Sequence, residues 1–265
     1  MTIKLIASDL DGTLLNERCM ISQRTKEAIR RLKEKGIIFT FATGRMYRSA
    51  LHFALELEMD VPLITYEGAL VKTSATKQVI YHRPLPGELA KKVVDIGEEN
   101  RLNINVYLDD ELYVHRVTEE IRDYCRVVQV PYNHVENWSS LLDRDPTKVL
   151  FMGEAEKLDY LWVQLKEEFG DQVYITKSSP HFLEFTHPRA TKGYGIKVLA
   201  QEFGIKKEEI MAFGDNLNDL ELLKAAGFGV AMGNAREELK QVADYVTGYN
   251  YEDGVAAAIE KFVLD

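Results

Sequence analysis

Two aspartates two residues apart, Asp9 and Asp11, follow directly on the apolar run IKLIAS (3–8). On an extended backbone, side chains at i and i+2 point the same way. Two carboxylates gathered there repel at a cost unless a cation or unequal protonation separates them. Gly12 behind them permits a tight turn whose backbone N–H groups can face an anion. A second acidic pair, Asp215 and Asp219, lies in GDNLND (214–219). Its i, i+4 spacing puts both groups near one helical face, and such pairs recruit a hard cation with oxygen ligands, for which magnesium is suited. Thr43-Gly44-Arg45 offers a hydroxyl and free N–H groups at a helix start, an anion site. Lys192, in TKG (191–193), stands where the helix dipole disfavours a cation and makes better sense facing a phosphate. Taken singly, each has a plainer explanation: an Asx turn at Asp9 and Asp11, capping by Thr43 or Asp215, a surface lysine. Their weight comes from occurring together.

What must position them is a set of strands, because each motif lies at or near a predicted strand end. IKLIAS (3–8), IIFTFA (37–42) and PLIT (62–65) are apolar runs suited to buried strands. Between them, Ser22 can cap the helix TKEAIRRLKEK, closed by Gly36, and a second helix runs from about 47 to 57. This alternation implies a parallel sheet with right-handed crossovers. Ligands bind beyond the carboxyl ends of such strands, which brings motifs distant in sequence to one crevice.

The rhythm changes at YHRPLPG (81–87), where two prolines and a glycine suggest a linker. Beyond it come a helix (88–99), a hairpin turning at Asp109-Asp110, a helix (119–127), a strand (148–153), a helix (154–169) and two strands (172–178 and 181–186). The first rhythm returns at TKGYG (191–195): a helix to 204, a strand (209–215), a helix (218–227), a strand (228–232), a helix (236–243), a short strand (245–247) and a final helix (253–263). The expectation is a doubly wound α/β domain of residues 1–83 and 187–265, divided by an α+β module of residues 84–186. Within the module, Tyr107, Tyr113 and Trp138 are expected in its core, while His181, Phe182 and Glu184 are candidate substrate contacts.

The chain of 265 residues carries a net charge of -9, which argues against a nucleic-acid surface, since phosphate backbones need clustered Lys and Arg. The cluster Arg30–Lys35 reads as the solvated face of a helix. Two cysteines, Cys19 and Cys125, form no CxxC, so a reducing compartment fits. The N-terminus meets acid too soon for a signal peptide, and no apolar run is long enough for a membrane span. A cytoplasmic protein is expected, monomeric or a weak homodimer, with a small phosphorylated metabolite as its partner. Zinc spacings, GxSxG and GxxxxGK[ST] are absent from the sequence.

In order and spacing, DLDGT, ATGR, TKG and GDNLND resemble the motifs of the haloacid-dehalogenase (HAD) superfamily of phosphatases, in the Cof-type branch with its C2-type cap. The resemblance covers nearly the whole chain. It implies a magnesium-dependent phosphatase in which Asp9 is nucleophile and metal ligand. Asp11 would be the general acid–base, binding the metal through its carbonyl. Asp215 would complete the metal's protein ligands, and Asp219 would support the metal or Lys192. Leu10 (through its backbone), Thr43, Gly44, Lys192 and Asn218 would hold the phosphoryl oxygens. Sugar phosphates are the first expected substrates, with pyridoxal and flavin-type phosphates open. A phosphomutase of the same core, which would draw on Arg116, Arg122, Arg126 or Arg144, and a non-enzymatic binding module are the rival expectations. One departure stands out. Where many relatives carry Asn-Gly-Ala after the third strand, this chain has Glu67-Gly68-Ala69. That glutamate could face a leaving group, or only serve a turn or solvent.

Overall fold

The computed structural model describes residues 2–265. Its first part contains β1 (Leu5–Ser8), α1 (Gln23–Glu34), β2 (Ile38–Phe41), α2 (Tyr47–Glu56) and β3 (Pro62–Thr65), followed by the hairpin β4 (Leu70–Thr73) and β5 (Val79–His82). The middle part contains α3 (Gly87–Glu99), β6 (Asn103–Leu108), β7 (Glu111–Val114), α4 (Glu119–Val128), β8 (Tyr132–His134), α5 (Ser139–Leu142), β9 (Lys148–Met152), α6 (Ala155–Phe169), β10 (Tyr174–Ser179) and β11 (Phe182–Thr186). The last part contains α7 (Lys192–Glu202), β12 (Ile210–Gly214), α8 (Leu220–Ala225), β13 (Phe228–Ala231), α9 (Glu237–Lys240), β14 (Tyr245–Val246) and α10 (Gly254–Ile259).

The first and last parts share one parallel sheet of order β14-β13-β12-β1-β2. Its central strands are apolar and fully buried, as a sheet covered on both faces requires. The chain leaves β1 outward through β2, and later leaves β12 outward in the opposite direction. The strand order therefore reverses at β1 and β12, where parallel sheets open a crevice at their carboxyl ends. The helices follow local signals. Ser22 caps α1 by accepting from Thr25 N (3.1 Å), and Ala28, Ile29 and Leu32 line its buried face. Thr191 caps α7 in the same way through Tyr194 N (3.0 Å).

The middle part builds a six-stranded sheet of order β10-β11-β9-β6-β7-β8, antiparallel except where β8 runs parallel to β7. Period-two alternation sorts its residues. Val149, Phe151, Leu183 and Phe185 turn to one face, where they pack with Val93, Val94, Leu158, Leu161 and Leu165 of α3 and α6. Lys148, Leu150, Met152, Phe182 and Glu184 turn to the other, and line a cleft whose floor is the carboxyl end of the parallel sheet. The sequence thus encodes a roof as well as a domain.

Five expectations need correction. The third strand, β3, touches the parallel sheet only through the bridge Ala42–Ile64, then pairs antiparallel with β4. The linker expected over 81–87 starts later, because Tyr81 and His82 belong to β5. The strand β8 and the short helix α5 were not foreseen. The helices expected over 218–227 and 236–243 are shorter, α8 being preceded by a 3-10 turn over Leu217–Asp219. The hairpin at Asp109-Asp110 is present, with both residues at positive φ (53° and 60°), as a twist-matched two-residue turn demands. Tyr113 and Trp138 pack against the module's own apolar cluster as expected, and Trp138 donates to Glu98 Oε1 (3.1 Å), whereas Tyr107 turns to the opposite face of the sheet and packs toward the α/β domain, its ring 5.8 Å from that of Tyr66. Cys19 and Cys125 are both free. No helix among the described residues is long and apolar enough to cross a membrane.

Candidate active site

Asp9 is the first residue past β1, held there by its N–H donating to Phe213 O (3.1 Å) on β12. The chain then folds into a wide turn over Leu10–Leu14, closed by Leu15 N to Leu10 O (2.9 Å). Gly12 adopts φ +79°, and a Cβ on it would stand 2.4 Å from Asp215 Oδ2. Only glycine combines that backbone with that approach, so the turn is built to bring Asp215 against the Asp9 loop. Thr13 Oγ1 locks it by donating to Asp215 Oδ1 (2.6 Å).

Carboxylate oxygens of Asp9, Asp215 and Asp219 lie within 4.8 Å of one another. Lys192, fully buried, places Nζ 2.9 Å from Asp9 Oδ1 and 2.7 Å from Asp219 Oδ1. The other oxygen of Asp219 accepts from Asp215 N (3.0 Å) and Asn216 N (3.1 Å). Asp219 is therefore committed to Lys192 and to its own loop, which leaves Asp9 and Asp215 as the carboxylates with oxygens to spare. Burial pushes the Asp9 carboxyl well up, only partly opposed by Lys192, with Asp219, Asp215 and Asp11 adding to the rise. Burial and Asp219 push Asp215 up to about 7, against the hydrogen bond from Thr13. A divalent cation with oxygen ligands would relieve this crowding, so the donor set fits magnesium.

Asp11 departs from expectation. The turn swings its carboxylate away from Asp9 and outside the three-carboxylate group. There Arg45 grips it in a two-point fork, Nε to Oδ2 (2.7 Å) and Nη2 to Oδ1 (2.6 Å). Arg45 is itself buried, donating to Ser49 Oγ (3.3 Å) with Phe53 beneath its guanidinium. In the sequence Arg45 stands in the TGR motif without an evident partner, and Asp11 is the partner the fold gives it.

Thr43 and Gly44 lie at the carboxyl end of β2, beside this cluster, and both line the cleft. Thr43 Oγ1 accepts from Arg45 N (3.1 Å), so its own proton is free to donate. Glu67 is neither in solvent nor a plain turn residue. It is fully buried at φ +59°, and a Cβ on Gly44 would stand 2.1 Å from its Oε1. Asn218 Nδ2 donates to both its oxygens (3.1 and 3.2 Å). The amide expected to hold a phosphoryl oxygen is thus committed to Glu67, and Asn218 Oδ1 is buried without a partner. Burial lifts the Glu67 carboxyl to about 7, with Lys192 opposing and Glu184 adding.

The roof supplies the remaining wall. Glu184 pairs with Lys148 (2.7 Å) and accepts from Ser178. Phe182 meets Tyr124 edge-on (5.5 Å) and lines the cleft with His181. Lys148, at the start of β9, is a cleft residue that no sequence motif marks.

Residues 6–259 match the family model of haloacid dehalogenase-like hydrolases. A putative phosphatase of Haemophilus influenzae is 34% identical over 98% of both chains. The 5-amino-6-(5-phospho-D-ribitylamino)uracil phosphatase YitU of Bacillus subtilis is 34% identical over 97% of both. The solved structure of the HAD subclass IIB sugar phosphatase BT4131 superposes with a TM-score of 0.87 at 28% identity, covering 99% of this chain and all of that one. With an α/β core, an inserted roof and an aspartate cluster at the sheet's switch point, the chain belongs to the haloacid dehalogenase-like hydrolases and is a phosphatase of their Cof-type branch.

Proposed function

We propose that the protein is a magnesium-dependent phosphomonoester hydrolase that transfers a phosphoryl group from a small organic phosphate to Asp9 and then to water. Residues 84–186 act as the unit that closes over a core of 1–83 and 187–265. The observation that carries this reading is the placement of Asp9 at the end of β1, 2.9 Å from a buried ammonium and within reach of Asp215. Phosphoryl transfer asks chiefly for positioning and charge cancellation, and this site concentrates both. Asp9, Asp215 and the Asp11 carbonyl would hold magnesium, which would supply positive charge against the phosphoryl oxygens.

An Asp9 oxygen attacks phosphorus, the ester P–O bond breaks, and an acyl phosphate forms on Asp9. Asp11 gives a proton to the departing alkoxide, then takes one from the water that attacks phosphorus. Inorganic phosphate leaves and the Asp9 carboxylate is restored. For this the Asp11 side chain has to rotate out of the Arg45 fork toward Asp9. Lys192 and the Thr43 hydroxyl hold the phosphoryl oxygens, together with backbone N–H groups of Leu10 and Gly44.

The cleft measures about 840 Å³, large for a triose and suited to a metabolite-sized group. Leu150, Met152, Tyr124 and Phe182 give it an apolar and aromatic wall, set against Asn103, Ser178, Ser179 and His181. This supports a polyol or sugar phosphate, with room for a ring on the aromatic side. It is consistent with one relative named for a ribitylamino-uracil phosphate and another for sugar phosphates. Hydrolysis is favoured over mutase chemistry because Arg116, Arg122, Arg126 and Arg144 are each ion-paired at the surface and none lines the cleft, which leaves Arg101 as the roof arginine there rather than a cluster for a second phosphate.

The test is phosphate release from p-nitrophenyl phosphate and a panel of sugar and polyol phosphates, with magnesium and with chelator. Metal-dependent turnover is expected, and Asp9→Asn should abolish it while leaving the circular dichroism unchanged. Substantial residual turnover in that variant would refute Asp9 as nucleophile.

A further inference from the structure

Each backbone carbonyl of the turn 43–45 has a partner. Thr43 O accepts from Glu67 N (3.1 Å) and Arg45 O from Tyr66 N (2.9 Å), both within the core. Gly44 O is held from the roof instead, by Lys148 Nζ at 2.8 Å. Lys148 opens β9, and strand alternation turns it to the cleft with Leu150 and Met152. It is buried, with Glu184 Oε2 at 2.7 Å and the Tyr107 ring 5.0 Å away. Burial works to lower its pKa, but Glu184 raises it above the ordinary lysine value, so the ammonium stays charged. A buried ion pair contributes little net stability over a hydrophobic replacement, so the contact with Gly44 calls for its own explanation.

The Gly44 carbonyl belongs to the same peptide unit as the Arg45 N–H. That N–H donates to Thr43 Oγ1 (3.1 Å). A peptide is planar, so gripping the carbonyl at one end orients the N–H at the other. The N–H in turn fixes the Thr43 hydroxyl that faces the cleft. We propose that Lys148 is a positioning residue: closure of the roof lets it grip Gly44 O, and through that peptide it aims the Thr43 hydroxyl at the phosphoryl group. The proposal rests on the phosphatase reading above, in which Thr43 holds a phosphoryl oxygen. It couples closure to the chemical step, beyond the exclusion of water that any lid provides. With the roof lifted, Gly44 O loses this donor and the peptide is free to turn.

The test uses the full chain with Lys148→Met/Glu184→Gln, which removes both charges together and leaves no orphaned ion in the roof. Activity is measured on p-nitrophenyl phosphate and sorbitol 6-phosphate, with orthovanadate as a probe of the phosphoryl site. The expected result is a fall in kcat of about tenfold or more, equal on both substrates, with the vanadate Ki raised by a similar factor. In a Thr43→Val background the same pair of changes should cost almost nothing further, because coupled residues are non-additive. Wild-type kcat, losses that add to those of Thr43→Val, or a loss confined to sorbitol 6-phosphate would each overturn the proposal. If the double variant does not fold, amide exchange in the unmodified protein decides. Orthovanadate should then protect 43–45 and 147–150 together, whereas protection of 43–45 alone overturns the coupling. A wild-type protein with no turnover is a different failure: it overturns the phosphatase reading and this proposal with it.

Discussion

Replacing Glu67 by glutamine should make the protein more stable, and only above a certain pH. The carboxyl is fully buried, with Lys192, Lys148 and Asn218 offering incomplete compensation. Its pKa stands at about 7 in the folded protein, against an ordinary 4.5. Ionising it inside the protein therefore costs about 3 kcal/mol more than ionising it in the unfolded chain. The sign follows from that order. Below 4.5 the group is neutral in both states and the fold keeps its full stability. As pH rises from 4.5 through 7, the unfolded chain releases the proton first and the fold loses about 3 kcal/mol. Glutamine does not titrate, and it keeps an acceptor for Asn218 Nδ2 while offering a donor to the unpartnered Asn218 Oδ1. Urea denaturation in EDTA should find Glu67→Gln and wild type within about 1 kcal/mol at pH 5, with the variant ahead by about 3 kcal/mol at pH 8. In thermal melts that is a gain of roughly 6–10 °C at pH 8. Two stability curves running parallel from pH 5 to 8 would refute the argument, because the carboxyl would then be solvated or already ionised in the fold.

Two further outcomes follow from the same charges. Lys192→Met leaves Asp9 and Asp219 buried without their shared cation, and should destabilise the protein by about 3–5 kcal/mol as well as abolish turnover; a stable variant in urea titration would mean that those carboxylates are neutral in the fold. Magnesium in the millimolar range should raise the melting temperature of the wild type, since binding to the native state alone is stabilising. Asp215→Asn should lose most of that rise, and an unchanged rise would place the cation elsewhere.

The acidic motifs were legible because their chemistry is written locally. A carboxylate placed straight after an apolar strand points to what lies beyond that strand's end, and Asp9 and Asp215 meet there as expected. Lys192 was legible for the same reason, as a cation at the wrong end of a helix; its burial between two carboxylates supplies the cause. What stayed hidden belongs to tertiary pairing. Lys148 opens an apolar strand and Glu184 sits inside another, 36 residues later, and no spacing rule joins them. Glu67 could be noticed as odd, but the residue that covers it, Asn218, is 151 positions away. The direction of Asp11 was misjudged because i+2 alternation holds only while the backbone stays extended, and the chain leaves that state at Leu10. PLIT reads as a strand whether its partner is parallel or antiparallel, so the sequence could give β3 but not its pairing.

Of the groups invisible to local patterning, Lys148 also joins the roof to the core. Glu67 of the core and Glu184 of the roof both come close to Gly44, and Asn216 Nδ2 donates across to Ser178 O (3.2 Å). A carboxylate at a strand end can be placed by the strand that precedes it, whereas a contact between roof and core exists only where the two surfaces meet. In this phosphatase the turn 43–45 lies on that boundary. It takes its Thr43 and Arg45 contacts from the core and its Gly44 contact from the roof, so the geometry of this part of the cleft depends on both.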